Sequence, residues 1–172
     1  MARVREADRQ AFTSLLDRHA PRLHRYLVRM IRDHADAEDL TQESFLRVWR
    51  HADRWQPDRV RFTTWLYRIG HNLCVDRLRK RREVSHASIT EDPEAATAEP
   101  DLHGERLSKI VRDQIAALPE RQRSALVLCH HQGMTNQQAA EVLDVSVDAL
   151  ESLLARARRT LRERLTPYVR QD

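Results

Sequence analysis

A chain of 172 residues is long enough for one ordinary domain or two small ones. Three glycines and 5% aromatics, set against abundant Leu, Ala, Arg and Glu, favour helices over sheets. The absence of any run of eighteen apolar residues excludes a transmembrane span, and MARVREADRQ lacks the apolar core of a secretory leader, so a cytoplasmic protein is expected. The formal charge is +4 and the isoelectric point is near 9.6. Lys80 and Lys109 are the only lysines, so the positive charge is almost all guanidinium, which suits bidentate contacts to phosphate and base edges. An arginine-rich genome gives the same composition.

Residues 6–32 read as two helices broken at Pro21, one with the stripe Phe12, Leu15 and Leu16, the other with Leu23, Tyr26, Leu27, Met30 and Ile31. A short connection leads to a stronger helix over residues 35–50, ADAEDLTQESFLRVWR, whose Leu40, Ser44, Phe45 and Val48 face a core. Asp36, Glu38, Asp39, Gln42 and Glu43 crowd its N-terminal half. Acids there suit the helix dipole, but such a cluster in a basic protein also suggests a docking surface for a basic partner. After a loop over residues 51–61, a long helix runs from 62 to about 81, FTTWLYRIGHNLCVDRLRKR, with apolar positions Trp65, Leu66, Ile69, Leu73, Val75 and Leu78. Its basic end beside aromatic residues is a pattern that holds melted DNA, rings stacking on bases and arginines following phosphates. For Trp65 itself, core packing is the preferred reading.

The stretch VSHASITEDPEAATAEPD has no lysine or arginine and two prolines, and with Glu83 it collects six acids. It reads as an acidic, extended linker over residues 83–102, joining a helical domain at 1–82 to a second at 103–172. In the second domain, Leu107, Ile110, Val111, Ile115 and Leu118 mark a helix stopped near Pro119, and residues 121–131 mark the next, with Gly133 as its C′ residue. Thr135 with Gln138 forms a capping box for a short helix packed by Ala139, Ala140, Val142 and Leu143. Asp144-Val145 makes a turn, and Ser146 caps a last helix with Leu150, Leu153, Leu154 and Ala157 at helical spacing. This is a helix-turn-helix, whose second helix enters a DNA major groove; an ordinary αα-hairpin is the alternative.

Nothing in the chain resembles a catalytic constellation. Cys129, His130 and His131 are adjacent and point in different directions, and no second ligand pair has metal-binding spacing. Neither a phosphate-binding glycine loop nor a nucleophile motif is present. No enzyme, cofactor or metal is expected, and Cys74 and Cys129 are expected to be free thiols.

With both modules in place, the chain resembles the extracytoplasmic-function class of bacterial sigma factors in the sigma-70 family. DAEDLTQESFLRVWR is similar to that family's region 2.2, FTTWLYRIGHNLCVDRLRKRR to regions 2.3 and 2.4, and residues 118–163 to region 4. The resemblance implies an all-α fold of two small helical domains, a sigma-2-like bundle and a sigma-4-like helix-turn-helix domain, joined by a flexible linker. It implies that Asp36, Glu38, Asp39, Gln42 and Glu43 dock on the coiled coil of the largest subunit of core RNA polymerase. Recognition and melting of the −10 element would fall to Arg61, Trp65, Asn72, Asp76, Arg79 and Lys80. Reading of the −35 element would fall to Ser146, Asp148, Ala149, Ser152, Arg156 and Arg158. A controlling anti-sigma factor is an implied partner. One departure stands out: where the family commonly has a basic pattern such as V-K-S-R, this chain has Leu150, Glu151, Ser152 and Leu153. Glu151 can accept a hydrogen bond from a cytosine amino group but repels phosphate. The competing readings are a stand-alone helix-turn-helix regulator and a pure protein-interaction module.

Overall fold

The computed structural model describes residues 1–6, 8–87 and 104–169. It contains α1 (Ala2–Arg5), α2 (Arg9–Ile31), α3 (His34–Arg50), a 3-10 turn (Ala52–Arg54), α4 (Phe62–Ala87), α5 (Gly104–Ala116), α6 (Glu120–Leu126) continued by a π-turn (Val127–His131), α7 (Asn136–Leu143) and α8 (Val147–Val169). No strand occurs among the described residues, in agreement with the expected all-α class.

The first module packs α2, α3 and α4 around Leu23, Tyr26, Leu27, Phe45, Val48 and Leu66, all nearly inaccessible to solvent. Asp8 caps α2 by accepting from the Ala11 amide, and Asp33 caps α3 by accepting from the Asp36 amide. A Cβ on Gly70 would lie 2.9 Å from Leu23 Cδ1 and 3.3 Å from Ser44 Oγ, so a glycine there lets α4 close onto both neighbouring helices.

Two expectations are corrected. Pro21 does not break the first helix; α2 runs through it without interruption. Proline removes only the bond to the Asp17 carbonyl, and its exposed position lets water satisfy that oxygen, while the apolar stripes on either side stay in phase. The basic helix also continues past residue 81 to Ala87, so the first residues assigned to the linker are helical. The rest of the expected linker, from residue 88 to 102, lies outside the described residues.

In the second module, Gly133 takes φ +68° and the Met134 amide reaches back to the Leu128 carbonyl at 3.1 Å, the glycine C-cap expected from sequence. The π-turn before it is closed by the Gln132 amide bonding the Val127 carbonyl. The capping box forms in both directions, Gln138 N to Thr135 Oγ1 at 3.2 Å and Thr135 N to Gln138 Oε1 at 3.0 Å. Asp144 in the left-handed region ends α7, and Ser146 caps α8 through the Ala149 amide at 3.1 Å. Leu150, Leu154 and Ala157 bury the inner face of α8.

The modules pack on each other. Leu128, Ala139, Val142 and Leu150 of the second share one apolar cluster with Tyr26, Met30 and Leu66 of the first. The seam is stitched by Tyr67 Oη donating to Gln132 Oε1 at 2.8 Å and by ion pairs Arg68–Asp144, Arg82–Glu120 and Arg32–Asp113.

Candidate docking groove and nucleic-acid interface

Helices α2 and α3 leave an apolar groove of about 660 Å³ between Phe12, Leu16, Pro21, Phe45 and Leu46, rimmed by Glu38 and Gln42. Leu46 is 46% exposed and Leu16 is 36% exposed, unusual for leucines beside a core. The expected acidic residues separate into two groups. Glu38, Asp39 and Gln42 are exposed, and Glu43 pairs with Arg47 at 2.9 Å. Asp36 instead turns inward, its carboxylate paired with Arg77 and Arg81 of α4. Leu16 was not expected here, since in the sequence it belongs to an apolar stripe, and Leu46 lies outside the positions expected to face the core from its helix.

A second surface runs along α4. Trp65, Arg68, Asn72, Asp76 and Arg79 recur every three or four residues and so share one helical face, continued by Lys80, with Arg61 just before the helix. Arg68, Asn72, Asp76, Arg79 and Lys80 are exposed, as is Arg61. Trp65 is half-buried: one edge packs against Phe62, whose ring lies beside Trp55 and His19, and another side opens into a cavity of about 400 Å³. Arg47, His51, Arg54, Arg68 and Asn72 line that cavity with it. The chemistry is an aromatic wall ringed by guanidinium groups, suited to an unstacked base and its phosphates. The loop cations Arg47, His51 and Arg54 escaped the sequence reading because they lie on α3 and the 3-10 turn and meet Trp65 only in three dimensions.

On α8, Ser146, Asp148, Ala149, Ser152, Arg156 and Arg158 are all exposed. Asp148, Ala149, Ser152 and Arg156 recur at three- and four-residue spacing and share one side of the helix, and Glu151 borders that side next to Asp148, in line with Ala155 and Arg158. Arg158 lies 3.2 Å from His130 Nε2. His130 and His131 are both exposed, Cys74 and Cys129 are free, and no metal-binding cluster occurs among the described residues.

Between the two surfaces, a cleft of about 380 Å³ is walled by His71, Asn72 and Asp76 of α4 and by Leu143, Val145 and Leu153 of the second module. His71 is buried with its Nδ1 2.9 Å from Tyr26 Oη. Burial, with Arg121 adding repulsion, pulls its pKa down to about 4, so it sits neutral in the fold. An unfolded histidine takes up its proton near pH 6.5. The contribution of His71 is therefore complete above pH 6.5 and lost as pH falls from there towards 4, by up to about 3 kcal/mol. Urea unfolding at pH 7, 5.5 and 4.5 is expected to give a steep fall in stability for the native chain and a shallower one for His71→Gln. His19 and His131, lowered mainly by burial, add smaller effects of the same sign to both proteins.

Comparison with known proteins agrees with this two-module organisation. The family model for Sigma-70 region 2 matches residues 15–84, and that for Sigma-70, region 4 matches residues 108–161. The chain is 36% identical to the RNA polymerase sigma factor CarQ of Myxococcus xanthus over 166 residues, covering 96% of this chain and 95% of that protein. It is 33% identical to the ECF RNA polymerase sigma factor SigE of Mycolicibacterium smegmatis, covering 95% of this chain but 65% of that longer protein. Among solved structures, CnrH in complex with the cytosolic domain of CnrY superposes with a TM-score of 0.72 at 27% identity, over 96% of this chain and 94% of that one. The sigma factor RpoE of Bartonella quintana, solved with the anti-sigma factor NepR, shares the fold with a TM-score of 0.77 at 24% identity, over 91% of this chain and 98% of that one.

Proposed function

Because the chain belongs to the extracytoplasmic-function class of the sigma-70 family and directs promoter-specific transcription, we propose that the α2–α3 groove docks core RNA polymerase and that α4 and α8 grip promoter DNA. The partner in the groove is a coiled coil of the largest polymerase subunit. An amphipathic helix pair has the right chemistry, with apolar side chains for Leu16 and Leu46 and cations for the exposed carboxylates of Glu38 and Asp39. Charge pairs at the rim steer and orient the encounter, and the apolar floor carries more of the affinity. Asp36 acts at one remove, tying α3 to α4 through Arg77 and Arg81.

The face of α4 takes the −10 element. Trp65, backed by Phe62, offers a stacking surface beside Arg47, Arg54 and Arg68, so an extruded base exchanges its stacking on DNA for stacking on protein. Arg61, Arg79 and Lys80 follow the phosphates, and Asn72 and Asp76 are placed to meet base edges. The second module takes the −35 element as duplex through α8. The chain works as a component of the polymerase in the cytoplasm, with no catalytic residues of its own, and no described helix is long and apolar enough to cross a membrane. Control by an anti-sigma factor is supported by the Bartonella quintana sigma factor of the same fold, which was solved with the anti-sigma factor NepR.

The observation that carries the docking assignment is an exposed apolar groove rimmed by Glu38 and Gln42, with Asp39 exposed next in sequence to Glu38, within a basic chain. Reversing two of the acids, Asp39→Arg with Glu43→Arg, is expected to abolish co-purification with core polymerase and promoter-directed transcription. A stand-alone helix-turn-helix regulator would keep its DNA binding and its effect in cells, and undiminished transcription by the double variant would refute the assignment.

A further inference from the structure

We propose that Glu151 is a specificity-determining residue of the recognition helix, held in place by Asn136, and that it selects a cytosine in the upstream promoter element. The inference rests on the reading of α8 as the major-groove helix. Asn136 opens α7, and its Nδ2 donates to Glu151 Oε1 at 3.1 Å. Its Oδ1 faces the Cys129 thiol at 3.8 Å, which fixes the amide orientation, because the flipped amide would set two acceptors against each other. One oxygen of an exposed carboxylate is thus tethered, and the other remains to accept from a base.

The neighbours on that side of α8 sharpen the selection. Around Glu151, Asp148 and Ser152 are exposed and Ala155 adds no competing polar group, so the first turns of α8 offer acceptors and one hydroxyl but no cation. Cations resume only at Arg156, Arg158 and Arg159, towards the end that follows the phosphates. A carboxylate can accept a hydrogen bond but not donate one. In the major groove, guanine presents two acceptors and thymine one, and both repel it. Adenine presents an amino donor beside its N7 acceptor, so the second carboxylate oxygen meets a lone pair. Cytosine presents an amino donor beside a C–H and carries no such penalty, which ranks cytosine first and adenine second. Asn136 is a positioning residue: it narrows the carboxylate's freedom and so raises the discrimination at that one base.

The test is in vitro transcription by core polymerase with the full chain, on a promoter library randomised across the upstream element, with transcripts sequenced. The native chain is expected to enrich cytosine at one position about tenfold over guanine, the size of one mismatched base pair. Glu151→Gln is expected to move the preference at that position to adenine, whose N6 and N7 match a donor–acceptor amide, and Glu151→Arg to move it to guanine. Asn136→Ala is expected to keep cytosine first with a smaller margin at that position alone, an outcome that general destabilisation would not produce. An identical preference map for native and Glu151→Gln proteins would overturn the proposal while leaving the promoter reading intact. A native chain that enriches no upstream base but still initiates would overturn it as well. Absence of any transcript with the native chain would remove the promoter reading and the proposal with it.

Discussion

Leu46→Glu is expected to weaken binding to core polymerase by about a hundredfold while leaving the melting temperature of the free chain unchanged. Leu46 is already 46% exposed in the free protein, so replacing it removes little from the core. In the complex it would be covered, together with Leu16, Phe12 and Pro21 along the groove. Burying a leucine contributes about 1.5–3 kcal/mol, and a carboxylate forced into the same contact adds a desolvation cost. A total near 3 kcal/mol corresponds to about two orders of magnitude in affinity. Fluorescence titration of labelled chain with core enzyme measures it. Affinity within threefold of native would place the polymerase contact elsewhere on the module.

The second large effect is a change of shape. Two promoter elements named for positions roughly 25 base pairs apart are separated by on the order of 80 Å along B-form DNA. In the free chain the modules touch, with Arg68 and Asp144 3.0 Å apart and with Asn72 and Asp76, the residues proposed for the −10 element, lining one cleft with Leu143, Val145 and Leu153. On the proposed two-point grip, the modules are expected to part when the promoter is engaged. Dyes at Arg32 and Asp113, which are exposed and 2.9 Å apart across the seam, are expected to transfer energy efficiently in the free chain and to lose most of that transfer in a transcribing complex. Transfer that stays high in an active complex would contradict the two-point grip. The exposed ion pairs at the seam contribute little individually, so the shared apolar cluster holds the free chain closed.

Much of this was legible in the residues. The capping box at Thr135 and Gln138, the glycine C-cap at Gly133 and the serine cap at Ser146 are local devices, and local chemistry reads directly from sequence. The aromatic and basic periodicity of α4 likewise depends on one helix. What stayed hidden needs two elements at once. Pro21 reads as a break until the packing on either side of it is seen to keep α2 continuous. Asp36 looks like its acidic neighbours until Arg77 and Arg81 arrive from α4, forty and more residues later. Leu46 lies outside the core-facing positions of its own helix, and only the fold brings it into one groove with Phe12 and Leu16 of α2. Trp65, given to the core, is half-buried, and its open side meets cations from α3 and the following turn. The packing of one module on the other has no signature in either alone.

The most direct test of the central claim is transcription reconstituted from core polymerase, this chain and fragmented genomic DNA, with start sites mapped. Initiation is expected at a restricted set of sites sharing two separated elements, dependent on the chain and lost with Leu46→Glu. Initiation that is unchanged by that substitution, or no chain-dependent initiation on any fragment, would contradict that claim.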